Sequence, residues 1–108
     1  LNMREFTATE LDAYLREAGN TPLLLDVREP WEFDKASIEG STLIPMRQIG
    51  EHTHELGNDN EIIVICHHGI RSRVVCRFLE SEGFSNVINL AGGVNAWARE
   101  VDPQMPTY

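Results

Sequence analysis

The chain is punctuated by short apolar runs, each long enough for a strand and too short for much else. Leu23-Leu24-Leu25-Asp26-Val27, Thr42-Leu43-Ile44, Glu61-Ile62-Ile63-Val64-Ile65 and Val87-Ile88-Asn89-Leu90 are built mainly from aliphatic side chains. Runs of this kind, without clean polar alternation, fit strands buried on both faces of a parallel sheet. The Ile62 run is the clearest of them, and it leads directly into Cys66.

Helical signals lie between the runs. Thr7-Ala8-Thr9-Glu10 reads as a capping box, and Leu11, Tyr14, Leu15 and Ala18 follow at helical spacing up to a stop at Gly19. Glu29-Pro30-Trp31-Glu32-Phe33 suits a short helical turn with proline at its start. Residues Arg47 to Leu56 have weaker periodicity. A helix is expected over Ser72 to Ser81, with Val75, Phe78, Leu79 and Glu82 sharing one side and Val74 and Phe78 forming a neighbouring ladder. Gly92-Gly93 reads as a hinge before a short helix containing Trp97, and Trp31 and Trp97 read as packing residues. Glu5-Phe6 suits a short edge strand. The alternation predicts an α/β fold: a central, mostly parallel sheet flanked by helices in three layers. With 108 residues, no internal repeat and no linker, the expectation is one domain over residues 1–108.

Charge narrows the partners. Seventeen acidic residues against nine basic ones leave a formal charge of -8, which disfavours nucleic acid and anionic membranes at long range. Neither is an expected partner. No apolar run approaches the ~20 residues of a membrane-spanning helix. Two cysteines, Cys66 and Cys76, make no disulfide scaffold and suit a reducing, cytoplasmic setting. Arg71, Arg73 and Arg77 fall within seven positions beside Cys66, so a local field opposite to the overall charge is expected there.

The chemistry points to Cys66-His67-His68-Gly69-Ile70-Arg71-Ser72, between a strand and a helix. Ligands in open α/β sheets bind beyond the carboxyl ends of strands. Helix N-termini offer free N–H groups and partial positive charge, which makes a cysteine there more acidic than a free thiol. Gly69 would let the loop curl and turn successive amides toward the sulfur. Such a cup suits a thiolate, an anionic adduct on sulfur, or an oxyanion beside it.

With those residues in view, the chain resembles the rhodanese-like family of single-domain sulfurtransferases. The 66–72 segment is similar to that family's active-site loop: cysteine, two residues, glycine, one residue, arginine. Leu25-Asp26-Val27-Arg28-Glu29 with Glu32-Phe33 is similar to its first signature, and Leu90-Ala91-Gly92-Gly93-Val94 with Trp97 to its last. The ending from Val101-Asp102-Pro103 to Pro106-Thr107-Tyr108 is similar to a tail of small bacterial members. One stretch departs: Ala36-Ser37-Ile38-Glu39-Gly40-Ser41 stands where the family often has Gly-His-Ile-Pro-Gly-Ala.

The resemblance implies a rhodanese-like three-layer fold and a thiosulfate sulfurtransferase type of activity. Sulfane sulfur would pass from thiosulfate, or from a protein or small-molecule persulfide, to Cys66. The Cys66 persulfide would hand it to cyanide or to a thiol acceptor. In this reading Cys66 is the nucleophile, and His67, His68, Gly69, Ile70, Arg71 and Ser72 hold the anion. Arg71 either grips the incoming anion or braces the loop, and Ser72 either caps the helix or bonds the sulfur. Asp26 would need a partner at the end of a buried strand, and it joins Arg28 as support for the site; Arg28 has the alternative of pointing into its mouth. No cofactor and no metal is expected, and His52 and His54 read as solvated. Cys76, ten residues on, is not expected to act as a resolving thiol.

Two rivals remain at this level. One is a persulfide carrier or binding module partnered with a sulfur-trafficking protein. The other is a cysteine phosphatase, whose pattern has five residues between cysteine and arginine; here four intervene, and Ser72 falls where that arginine would be.

Overall fold

The computed structural model describes residues 3–108. Five strands form one sheet: β1 (Arg4–Phe6), β2 (Leu23–Asp26), β3 (Thr42–Leu43), β4 (Ile62–Ile65) and β5 (Val87–Leu90). Their order is β1-β5-β4-β2-β3, and every pairing is parallel. Five α-helices accompany them: α1 (Ala8–Arg16), α2 (Pro30–Lys35), α3 (Ile49–His52), α4 (Ile70–Ser81) and α5 (Gly93–Glu100). The three-layer α/β fold expected from the alternation of runs is the one observed.

Period-two strand geometry divides the apolar side chains between two cores. Ile63, Ile65, Ile88 and Leu90 pack with Leu11 of α1 and Val94 and Trp97 of α5. Ile62, Val64 and Val87 face the opposite way and pack with Ile49 of α3 and Val75, Cys76 and Leu79 of α4. The central strands β4 and β5 are buried at every position, which explains why their sequence lacks polar alternation.

Local signals mostly hold. The Thr7–Glu10 capping box is present, with Glu10 N–H donating to Thr7 Oγ1 at 3.2 Å and Thr7 N–H donating to Glu10 Oε1 at 2.8 Å. Helix α1 ends at Arg16, three residues before Gly19, so Ala18 lies beyond it in the turn. The 47–56 region breaks into α3 flanked by 3-10 turns at Met46–Gln48 and Thr53–Glu55. The departing stretch still makes an ordered turn: Ile38 is buried, and its carbonyl accepts from Ser41 N–H and Ser41 Oγ.

Three expectations are corrected. Helix α4 starts at Ile70 rather than Ser72, because Gly69 takes the N-cap position with φ +95°. The buried face of α4 is Ser72, Val75, Cys76 and Leu79, while Val74 and Phe78 are exposed. Trp31 is 62% exposed, whereas Trp97 is buried as expected.

Candidate active site

The parallel register brings the C-terminal ends of β2, β4 and β5 to one edge of the sheet, and the 66–72 loop lies across it. Cys66 follows β4 directly and is buried. Its sulfur meets two polar groups: Gly69 N–H donates to Sγ at 3.0 Å, and Ser72 Oγ lies 3.2 Å away. Ser72, in the first turn of α4, therefore meets the sulfur rather than capping the helix.

The loop is anchored from behind by α5. Val94 N–H donates to the Cys66 carbonyl at 2.9 Å, and Asn95 N–H to the His67 carbonyl at 3.0 Å. These are first-turn amides, free of intrahelical partners. They hold the two loop carbonyls against the start of α5. Gly93 is where the backbones meet: a Cβ there would lie 2.4 Å from the Cys66 oxygen and 2.5 Å from the His67 oxygen. Gly92-Gly93 is thus a close-packed seam, not a hinge.

Two arginine–carboxylate pairs sit under and beside the loop. Arg28 and Asp26 are completely buried, with Arg28 Nη2 donating to Asp26 Oδ2 at 2.7 Å and Nε to Oδ1 at 2.9 Å. Arg28 also donates to the Ala36 carbonyl at 2.7 Å and to Tyr108 Oη at 2.6 Å. It does not open into the mouth of the site; it supports the floor. Burial works against its charge, but the hydrogen bonds to Asp26 and Tyr108 outweigh that and raise its pKa.

Arg71 forks onto Glu32, with Nη1 donating to Oε2 at 2.7 Å and Nη2 to Oε1 at 2.8 Å. Of the two roles open to it in the sequence, bracing is the one its side chain performs here. That pairing is the main reason the Glu32 carboxyl falls to about 2, and Glu29 N–H and Tyr108 reinforce it. The same pairing raises the Arg71 pKa.

Tyr108 joins the two pairs. Its hydroxyl accepts from Arg28 and donates to Glu32 Oε1 at 3.0 Å. Its ring stacks on His67 at 3.9 Å and 10°, and the His67 ring lies 3.9 Å from that of His68. Burial, then the neighbouring His68, lowers the His67 pKa. Ile70 is 72% exposed, so its side chain points away from the sulfur cup.

Glu32, Tyr108 and Asn89 are missing from the sequence-derived set. Asn89 is buried and donates Nδ2 to the Gly69 carbonyl at 3.3 Å and to Glu5 at 2.7 Å. Glu32 was visible in the first signature but carried no sign of its partner, and Tyr108 lies in a tail without periodicity. Cys76 is buried in α4, and burial pushes its thiol up to about 12. Among the described residues, no group of three His, Cys, Asp or Glu side chains is placed to hold a metal ion, and no helix is long and apolar enough to cross a membrane.

Comparison with known proteins agrees with this geometry. The family model described as "Rhodanese-like domain" matches residues 7–100. The chain is 42% identical over 89 residues to the Arabidopsis thaliana "Rhodanese-like/PpiC domain-containing protein 12, chloroplastic", covering 79% of this chain and 30% of that protein. It is 38% identical over 103 residues to the Bacillus subtilis "Putative sulfur carrier protein YrkF", covering 94% of this chain and 56% of that protein. It thus spans well under two thirds of either relative. The crystal structure of a rhodanese-like domain protein from Staphylococcus aureus superposes with a TM-score of 0.84 at 30% identity, covering 92% of this chain and 95% of that one. By its three signatures, its all-parallel sheet and the loop around Cys66, this chain belongs to the rhodanese-like domain family.

Proposed function

We propose that Cys66 takes up sulfane sulfur and passes it to a thiol, as a persulfide-handling step in sulfur trafficking. In the first half-reaction the Cys66 thiolate attacks the outer sulfur of a donor persulfide. A new S–S bond forms to Cys66, and the donor's inner sulfur leaves as a thiolate. In the second, an acceptor thiolate attacks the outer sulfur and Cys66 leaves as thiolate. No net oxidation occurs, and the nucleophile is regenerated. Gly69 N–H and the Ser72 hydroxyl would steady the Cys66 sulfur, and the remaining loop amides would face the added one.

The observation that carries this reading, over thiosulfate:cyanide turnover, is the engagement of Arg71 by Glu32. With its charge matched in a fork, Arg71 is not a free clamp for a dianion. Arg28, the next guanidinium, is matched by Asp26 in the same way. A protonated thiol persulfide is neutral at the sulfurs that react, whereas thiosulfate is a dianion there, so the persulfide asks least of such a site. The likeness to a protein named for sulfur carriage points the same way. The phosphatase alternative has less support: it needs a guanidinium free to hold three equatorial oxygens, and Ser72 occupies the position where that arginine would be.

The test is a donor panel. The protein is treated with equal concentrations of glutathione persulfide and thiosulfate, and gain of one sulfur atom is followed by intact mass. The persulfide should load Cys66 at least about tenfold faster, a difference of about 1.4 kcal/mol, and Cys66→Ser should show no gain. Equal or faster loading by thiosulfate, with brisk cyanide turnover, would reinstate the thiosulfate sulfurtransferase reading. No loading by any sulfane donor would refute both.

A further inference from the structure

Helix α4 begins at the sulfur site and carries an outward face of unusual composition. Ile70, Val74 and Phe78 recur every four residues, so they lie along one side of the helix. They are 72%, 52% and 38% exposed, and they account for three of the five large apolar side chains left exposed among the described residues. A fourth, Met46, lines a groove with Ile49 and Gly50 on one side and Val74, Val75 and Phe78 on the other. Measured along the axis, Ile70 and Phe78 are about 12 Å apart. The stripe thus runs from the rim of the Cys66 loop into an open apolar groove.

The charges that α4 itself carries are mostly opposite in sign to that of the protein as a whole. Over its first ten residues α4 carries Arg71, Arg73 and Arg77 and no acid; Glu80 is its first carboxylate, near its far end. The chain as a whole carries -8. Arg71 is held by Glu32, and Arg73 lies 3.3 Å from Glu5. None of the ion pairs among the described residues involves Arg77, which is exposed beside Phe78. The N-terminal end of the helix dipole adds to the positive field.

We propose that this face of α4 is the docking surface for an acidic protein segment that delivers its thiol to Cys66, with an apolar side chain of that segment filling the groove between α4 and residues 46–50. This rests on the persulfide reading of Cys66 and names the kind of acceptor it serves. The charge argues for a protein of acidic character: Arg71 and Arg73 are answered by Glu32 and Glu5, which leaves Arg77 as the arginine of α4 outside any ion pair among the described residues. A small thiol would have no use for an apolar groove one to two helical turns from the sulfur. An extended chain advances about 3.3 Å per residue, so three or four residues between the thiol and the apolar anchor would span the stripe.

The probe is a synthetic peptide with one cysteine, a leucine four residues away and glutamates between and beyond them. Its controls are a glutamine-for-glutamate peptide and a lysine-for-glutamate peptide. Binding to the unloaded protein is read by fluorescence anisotropy. Transfer is read as loss of sulfur from persulfidated Cys66. The acidic peptide should bind at least about tenfold tighter than the lysine peptide at low salt, and should lose most of that advantage as the Debye length shrinks toward 3 Å at ~1 M salt. Phe78→Ser should weaken binding and peptide transfer by about fivefold or more, and Arg77→Glu should reduce or invert the charge preference. In both variants transfer to cyanide should stay within about twofold of the parent protein.

Equal binding of the three peptides, or indifference of binding to both substitutions, would overturn the docking surface while leaving sulfur loading intact. Absence of loading would refute the chemical reading, and the anisotropy measurement would still decide the docking. If sedimentation shows a dimer that Phe78→Ser converts to monomer, the groove is filled by a second copy and the acidic-segment proposal fails.

Discussion

The two arginine–carboxylate pairs at the end of the sheet have the same chemistry and different surroundings. Asp26–Arg28 lies wholly under the loop, with neither side chain reaching solvent. Glu32–Arg71 lies at the rim: the carboxylate side chain is 5% exposed and the guanidinium 37%. Tyr108 hydrogen-bonds to both pairs. The deep pair is sustained because every donor finds an oxygen, so breaking it strands a buried charge. The rim pair trades some of that cost for a connection between α2 and the first turn of α4. The first pair therefore belongs mainly to folding, and the second to folding and site shape together.

The largest expected effect comes from Arg28→Ala. It leaves Asp26 buried without its partner and should cost about 3–5 kcal/mol, read as a lowered denaturant midpoint with an unchanged m-value. A cost under about 1 kcal/mol would show that the deep pair contributes no more than a surface pair.

Arg71→Ala should cost less, about 2–3 kcal/mol, because water reaches the vacated space beside Glu32. It should also slow sulfur loading through displacement of the α4 start. The comparison breaks if Arg71→Ala costs as much as Arg28→Ala.

Acid should select the rim pair. The Glu32 carboxyl is held at about 2 against an ordinary 4.5, chiefly by Arg71. A depressed carboxyl stabilises the fold fully above its unfolded value and loses that contribution as pH falls through its folded one. Of the order of 2–3 kcal/mol should therefore fade between roughly pH 4.5 and 2. Glu32→Gln should flatten the stability profile in that window. An unchanged slope in that variant would assign the acid sensitivity to other carboxylates.

The smallest effect is expected from Tyr108→Phe, which removes the hydroxyl between the pairs and keeps the ring on His67. It should cost about 1 kcal/mol, or roughly 4–8 °C in melting temperature. A double-mutant cycle with Glu32→Gln should give a coupling of at least about 0.5 kcal/mol. Strict additivity would mean the hydroxyl does not link them.

Much of this is legible in the sequence. The strands, the capping box at Thr7, the placement of Cys66 between β4 and α4, and the need of Asp26 for a buried partner all follow from local rules. Periodicity was less reliable on α4. Its apolar residues occupy more than one face, and only the packing of Val75, Cys76 and Leu79 on β4 and β5 shows that Val74 and Phe78 remain outside. Gly92-Gly93 likewise reads as flexible in sequence, because composition does not reveal that another backbone passes within van der Waals distance of Gly93.

The sequence by itself determined the architecture and the place of the candidate nucleophile, since both are written in short-range signals: unbroken aliphatic runs, helix caps, and one cysteine followed by a glycine at a strand-to-helix turn. The tertiary structure alone decided where the charges go. Arg71 meets Glu32 across 39 positions, and Arg28 meets Tyr108 across 80. Such pairings depend on the strand order and on how the tail returns to the sheet edge. A charged residue has no period that reveals a partner so distant, and its attraction acts only after the chain has folded and water has been excluded from between the two groups.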